Sequence, residues 1–143
     1  MRLLPCAIFL ICLIGCGLSN PQGRLPIQGT VSLNDQPIIT GAIHFESVPG
    51  ASLQISTGAI IQDGKYSIQQ ELGLAPGEYL VRISAPVGTA EIAKGTNTPL
   101  VRDVVPPKYN VASQEKVSVS KDKKSYDFNL VVTEADFQDK LPW

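Results

Sequence analysis

From Ile27 onward the sequence breaks into short runs in which apolar and polar residues alternate, each run closed by Asn, Asp, Pro or Gly. A period of two places successive side chains on opposite faces of a strand, so this pattern demands half-buried β-strands and excludes a helical core. Ile27, Gly29, Val31 and Leu33 fall on one face of a first strand, with Gln28, Thr30 and Ser32 on the other, and Asn34-Asp35-Gln36-Pro37 is the turn. In GAIHFES, Ile43 and Phe45 point inward and His44 and Glu46 outward. The run TGAIIQ, residues 57–62, meets Asp63-Gly64 and returns as KYSIQ, the strongest local hairpin signal in the chain, because Asp-Gly accepts the positive φ of a tight turn.

Pro76-Gly77 leads into EYLVRIS, with Tyr79, Val81 and Ile83 on one face, and Pro86 closes it. Residues 86–105 carry Gly88, Gly95 and Pro99 without clear periodicity and read as a long loop, which in compact domains is either functional or disordered. The closing strands are KVSVS, with Val117 and Val119 inward, and YDFNLVV, with Phe128 and Leu130 inward, joined by the exposed turn Lys121-Asp122-Lys123-Lys124. EADFQDKL has room for a helical turn or two. Eleven Pro and twelve Gly against one Met agree with a turn-rich, strand-rich chain. The expected fold class is all-β, an antiparallel β-sandwich of about seven strands with immunoglobulin-like or prealbumin-like topology. Pattern alone does not encode the strand order.

At 143 residues the chain holds one domain's worth of core. Twelve Lys and Arg against thirteen Asp and Glu leave a formal charge of -1 with no long basic block, which excludes an electrostatic footprint for nucleic acid. All three cysteines, Cys6, Cys12 and Cys16, lie in the first sixteen residues, so none can staple the body of the fold.

The cysteines belong to a different kind of segment. Met1 and Arg2 carry positive charge, Leu3 to Ile14 are almost wholly apolar, and Gly15 is small, the order of parts in a secretory signal. The run is shorter than the roughly 20 residues of a spanning helix and contains Pro5. Leu13-Ile14-Gly15-Cys16 resembles a lipobox, at which diacylglycerol is attached to a cysteine and the chain is cut just before it. Cys12 follows bulky Ile11 and Cys6 follows Pro5, so Cys16 alone has a small residue before it and a full apolar run ahead of it. The competing reading is an ordinary signal cleaved nearby. Lipidation of Cys16 predicts a protein anchored to a membrane without crossing it, since two or three acyl chains bind stably where one is marginal. Gly17 follows in place of the Asp that often retains such proteins at the inner membrane, so the outer membrane or cell surface is the expected location. The expected division is a signal peptide at 1–15, a flexible tether at 16–24 (rich in Gly, Ser, Asn and Pro), a sandwich domain at 25–132 and a tail at 133–143.

The ordered set GTVSLNDQPIITGAIHFES, DGKYSI, GLAPGEYLVRIS, VPPKYN and YDFNL resembles a family of small bacterial lipoproteins with a carboxypeptidase regulatory-like, or transthyretin-like, domain. The resemblance covers about residues 25–132 and implies a membrane-tethered β-sandwich outside the cytoplasm with no established catalysis. The family usually has a Gly-containing turn where this chain has Asn34-Asp35-Gln36-Pro37, and residues 133–143 extend beyond its closing strand.

Catalytic patterns are sparse. His44 is the only histidine, is expected to face outward, and is not accompanied by a GxSxG stretch, so no base and nucleophile pair is legible. One His and cysteines confined to the first sixteen residues do not make a zinc set, and Asp63, Asp122 and Asp127 lack the spacing of a calcium loop. No metal or cofactor is expected. GLAPGEY lacks the Lys-Ser/Thr ending of a phosphate loop. VPPKYN is the candidate interaction segment: Pro106 and Pro107 stiffen it, while Lys108 and Tyr109 offer charge and an amphipathic ring. The bland reading is that the prolines steer the chain back to the sandwich and Tyr109 packs on its end. The expected function is therefore a non-catalytic structural or protein-interaction module of the cell envelope. A glycan- or small-molecule-binding module using loop 86–110 is the alternative.

Overall fold

The Asp63-Gly64 hairpin shows how local chemistry starts this fold. Asp63 and Gly64 have φ of 48° and 74°, the left-handed pair that matches the twist of the flanking strands. Asn34 and Asp35 repeat the geometry with φ of 48° and 64°, so two residues that tolerate this region stand in for glycine. The structure, a computed structural model, describes residues 20, 22–92, 95, 99–123 and 125–138. The expected signal peptide and Cys16 lie outside the described residues, as do Lys124 and Trp143.

The described strands are β1 (Ile27–Leu33), β2 (Gln36–Pro37), β3 (Thr40–Ser47), β4 (Ser56–Gln62), β5 (Lys65–Ile68), β6 (Gly77–Ser84), β7 (Pro86–Ile92), β8 (Pro99–Asp103), β9 (Lys116–Val119) and β10 (Phe128–Leu130). Two 3₁₀ turns, Gln70–Leu72 and Pro107–Tyr109, and one short helix, α1 (Ala135–Gln138), complete the set. Seven strands form one hydrogen-bonded path, β10-β1-β5-β4-β3-β6-β9, with β2 paired to β1. The path folds over on itself. β3 and β10 are four strands apart along it, roughly 19 Å if the sheet were flat. Yet the rings of Phe45 on β3 and Phe128 on β10 have centroids 6.4 Å apart, and Phe45 lies 5.9 Å from Tyr66 on β5. The fold lies at the β4–β5 corner, where the ladder keeps a single pair, Gln62 with Lys65. One layer is β4-β3-β6-β9, the other β5-β1-β10, and the core lies between them: an all-β sandwich.

The inward faces are those of the alternating pattern. Ile43, Phe45, Tyr79, Val81, Ile83, Val117, Val119, Phe128 and Leu130 are all buried. Two tyrosines keep their hydroxyls satisfied inside: Tyr66 donates to the Tyr126 carbonyl at 2.7 Å and Tyr79 to the Ala75 carbonyl at 2.9 Å. Burial pushes both phenols upward from their ordinary range, for Tyr66 with the nearby Asp127 charge adding to it.

Three features depart from the sequence pattern. First, β1 pairs with β10 in parallel, Val31 opposite Phe128 through Leu33 opposite Leu130, so the sandwich is not wholly antiparallel. Asn34 continues that joint, since its side chain bonds both the Val132 amide and the Val132 carbonyl at 2.9 Å. Second, the expected loop 86–105 contains the β7–β8 hairpin, a two-stranded sheet of its own. Val87 and Val101 on it are 50% and 67% exposed, so no face is shielded enough to impose a strict alternation on its sequence. Third, the expected tether does not run free up to residue 24: the Asn20 side chain closes on the Arg24 backbone at 2.8 Å, and Arg24 donates to the Gly73 carbonyl at 3.0 Å. Gly29 is fixed by contact, because a Cβ there would lie 1.9 Å from the Tyr126 carbonyl oxygen.

The strands also set two opposite ends. At one, Leu25 pairs with Leu74 where the chain enters the domain, beside the Lys121–Lys123 turn. At the other lie the Asn34-Asp35 and Asp63-Gly64 turns, the β6–β7 junction and the C-terminal turn. The eight residues of β3 span roughly 23 Å between them.

Candidate functional site

The end of the sandwich away from chain entry is assembled around Asp103. Its Oδ1 accepts the Ala85 and Val105 amides, both at 2.9 Å, and its Oδ2 accepts the Asn110 side chain at 2.8 Å. One carboxylate thereby joins the end of β6, the end of β8 and the segment after it. Arg82, on the outer face of β6, donates to the Asn110 and Val111 carbonyls at 2.9 Å and faces Glu46 at 3.7 Å. The segment is held by charge-assisted hydrogen bonds from both sides.

That bracing positions the two sequence-predicted interaction residues. Pro106 is buried and starts the 3₁₀ turn Pro107–Tyr109. Lys108 does not stand free: its Nζ lies 2.7 Å from Asp136 Oδ1 and 5.1 Å from the Tyr109 ring centroid. The Tyr109 hydroxyl donates to the Val131 carbonyl at 3.0 Å, and its ring packs against the core. Asp136 Oδ2 accepts the Thr133 amide at 2.8 Å and hydroxyl at 3.0 Å, a carboxylate closing the first turn of α1. Lys108, then the Thr133 amide, hold the Asp136 carboxyl below the usual carboxylate range. Lys108 and Tyr109 are thus brought together, as a clamp on the C-terminal turn. Both side chains turn toward the chain after β10, with the Lys108 side chain still 44% exposed at the surface.

At the same end of the strands lies a groove of about 720 Å³. Its apolar walls come from Leu33, Ile38 and Ile39 on one side and from Ala85, Val87 and Val104 on the other. Ile39 is 66% exposed at its rim. Of the expected loop 86–110, Pro86 to Gly88 and Val104 line it. Pattern reading missed the groove because its two walls are some fifty residues apart in sequence.

The outer face of β5, β1 and β10 is polar by contrast. A shallow depression of about 620 Å³ is lined mainly by polar residues, Gln28, Thr30, Gln62, Lys65, Ser67 and Ser125, with exposed Ile60 and buried Tyr66 among its walls. At its edge Asp127 accepts the Thr30 amide at 2.8 Å, the Thr30 hydroxyl at 2.9 Å and the Ser125 hydroxyl at 3.1 Å. The Thr30 hydroxyl is the main cause that lowers the Asp127 carboxyl; desolvation opposes it, and the Thr30 amide, Ser125 and the Lys123 charge add to the lowering.

A serine and His44 do meet in space, a contact that no local motif signals. Ser56 Oγ lies 2.8 Å from His44 Nε2, from neighbouring strands β4 and β3. Diagonal neighbours across a ladder are invisible to local motifs. The pair stands on the exposed face of the sheet. Among the described residues no carboxylate bonds the other ring nitrogen, and the His44 Nδ1 instead faces Gly58. Nothing there shapes an acyl site. Among the described residues no group of three His, Cys, Asp or Glu is placed to hold a metal ion, and no helix is long and apolar enough to cross a membrane.

No protein family matches the chain, and no curated protein matches it. Among solved structures, a 9R-lipoxygenase from Cyanothece PCC8801 is similar over 78% of this chain at 13% identity, with a TM-score of 0.38. The chain spans 17% of that lipoxygenase, and a likeness of this degree carries no argument about the site.

Proposed function

We propose that this protein is a lipid-anchored β-sandwich of the cell envelope, akin to the carboxypeptidase regulatory-like lipoproteins it resembles. It is attached through Cys16 at the outer membrane or cell surface, and it works as a non-catalytic interaction module. The observation that carries this reading is polarity: chain entry at Leu25 and the apolar groove lie at opposite ends of the strands. An anchor on the N-terminal side then holds the groove, the β7–β8 hairpin and the C-terminal turn away from the lipid surface.

Detergent-phase partitioning and N-terminal mass analysis test the anchor. The native protein is expected in the detergent phase with acyl mass on Cys16, and Cys16→Ser in the aqueous phase. A soluble native protein with an unmodified N-terminus overturns the anchor. Photo-crosslinking from Val87 in intact cells tests the module, with capture of an envelope protein expected there and absent from a crosslinker at Gln54 near chain entry.

The groove also favours a second reading, a module for a small apolar molecule, for which its volume and lining are suited. Saturable uptake of such a molecule, lost in Val87→Asp, would support it over a protein partner. A glycan ligand fits the polar outer face better than the segment 86–110, and retention on envelope polysaccharide distinguishes it.

A further inference from the structure

The chain enters the sandwich at a fixed point. The Asn20 side chain donates to the Arg24 carbonyl and accepts the Arg24 amide, both at 2.8 Å, and Arg24 donates to the Gly73 carbonyl at 3.0 Å. Leu25 and Leu74 then exchange backbone hydrogen bonds. Asn20 is therefore tied to the same end of the strands as the 3₁₀ turn Gln70–Leu72, which runs into Gly73. On that turn Leu72 is 66% exposed, although its carbonyl is held by the Thr57 hydroxyl at 2.7 Å. Leu53 shares this end and is 37% exposed, its carbonyl accepting the hydroxyl of Ser47, the last residue of β3, at 3.0 Å. Two large apolar side chains thus face water on hydrogen-bonded loops beside chain entry.

We propose that Leu72 and Leu53 enter the lipid surface that holds the acylated Cys16, so that the sandwich stands on the bilayer by its entry end; this rests on the lipid anchor proposed above. The argument is one of reach. Cys16 is four residues before Asn20, a span of at most roughly 14 Å. The acyl chains begin at the hydrocarbon boundary, and the headgroup layer outside it takes up roughly 5–7 Å of that span. The entry end is thereby confined to the lipid surface, where exposed leucines meet an apolar phase that removes them from water. Anchoring also makes the contact intramolecular, so two leucines are enough where they would not recruit a free protein. Charge supplies little: among the described residues, Arg24, Lys121 and Lys123 at this end are offset by Glu71, Glu78 and Asp122. The consequence is a set orientation, with the apolar groove and the β7–β8 hairpin presented outward.

With Cys16 acylated and residues 1–15 removed the chain holds no free thiol, so Leu72→Cys introduces a single labelling site. Val101→Cys, at 67% exposure on β8, is the matched position at the far end. Each acylated protein, carrying a polarity-sensitive dye, is reconstituted into phosphatidylcholine vesicles with a nitroxide at the top of the lipid acyl chain. Quenching of the dye at position 72 is expected to exceed that at position 101 severalfold, and to be unchanged by salt and by the number of proteins per vesicle. With the dye at Leu53→Cys, adding Leu72→Asp is expected to cut the quenching severalfold, while flotation with the vesicles and the melting temperature stay as they were. Protein that floats with equal quenching at positions 72 and 101 overturns the proposal and leaves the anchor standing. Protein that does not float overturns the anchor, and the proposal with it. Shielding at position 72 that needs crowded vesicles also overturns it, by assigning the leucines to a second copy.

Discussion

The two-layer sandwich and the β7–β8 hairpin are both antiparallel β-structure for most of their length, yet they are held by different physics. In the sandwich the long strands have a dry face: Phe45 is wholly buried and touches the rings of Tyr66 and Phe128 from the opposite layer. In the hairpin β7 and β8 pair only with each other, and Val87 and Val101 face water. Only its base is tied to the core, by the Asp103 carboxylate and by buried Ala85 and Val105 on either side of it. Apolar burial locks conformation over a whole layer, whereas a polar hub fixes a point and leaves the rest of the element available for contact.

The sharpest test of that contrast is Phe45→Ala, expected to cost about 3–5 kcal/mol in chemical denaturation, because it removes the one ring shared by both layers. A cost below about 1 kcal/mol would mean that the layers do not depend on each other. Gly29→Ala is next, at about 2–3 kcal/mol, since the new Cβ meets a backbone carbonyl that also accepts the Tyr66 hydroxyl. Its thermal melt should fall while secondary structure by circular dichroism is retained.

Asp127→Asn probes the polar outer face. It is expected to cost about 0.5–1 kcal/mol at neutral pH, kept small by solvent around the group. The folded carboxyl is held below its ordinary value, mainly by the Thr30 hydroxyl, so its contribution is complete above the unfolded value of about 3.9 and is lost as pH falls through the folded one. Urea melts of the two proteins should therefore differ at pH 7 and converge in acid below about pH 4. A difference that persists there would assign the effect to packing. The smallest effect is expected on the hairpin: Val101→Ser should change stability by no more than about 0.5 kcal/mol in the same melts. A loss above 1 kcal/mol would show that the hairpin is part of the core and collapse the comparison.

How much was legible beforehand follows the same division. The buried faces of β1, β3, β6, β9 and β10 were readable because burial writes a period of two into each strand, and Asp63-Gly64 was readable because few residues accept its backbone. The hairpin at 86–103 was not, since an element wet on both faces leaves no such imprint. Lys108 and Tyr109 were singled out for their chemistry, but their partners, Asp136 and Val131, are more than twenty residues away and could not be named from VPPKYN. The Ser56–His44 contact, across a separation of 12 residues, needed the β3–β4 register to be seen.

The sequence by itself determined the strands that carry a dry face, the tight turns and the cysteine-free body, because each depends on neighbours within a few residues. The proposed anchor at Cys16 rests on the first sixteen residues alone. Only the tertiary structure decided the parallel β1–β10 joint, the fold-over at β4–β5, the clamp on the C-terminal turn and the apolar groove. Those arise where segments distant in the chain converge, and local propensity carries no record of which distant segment will arrive.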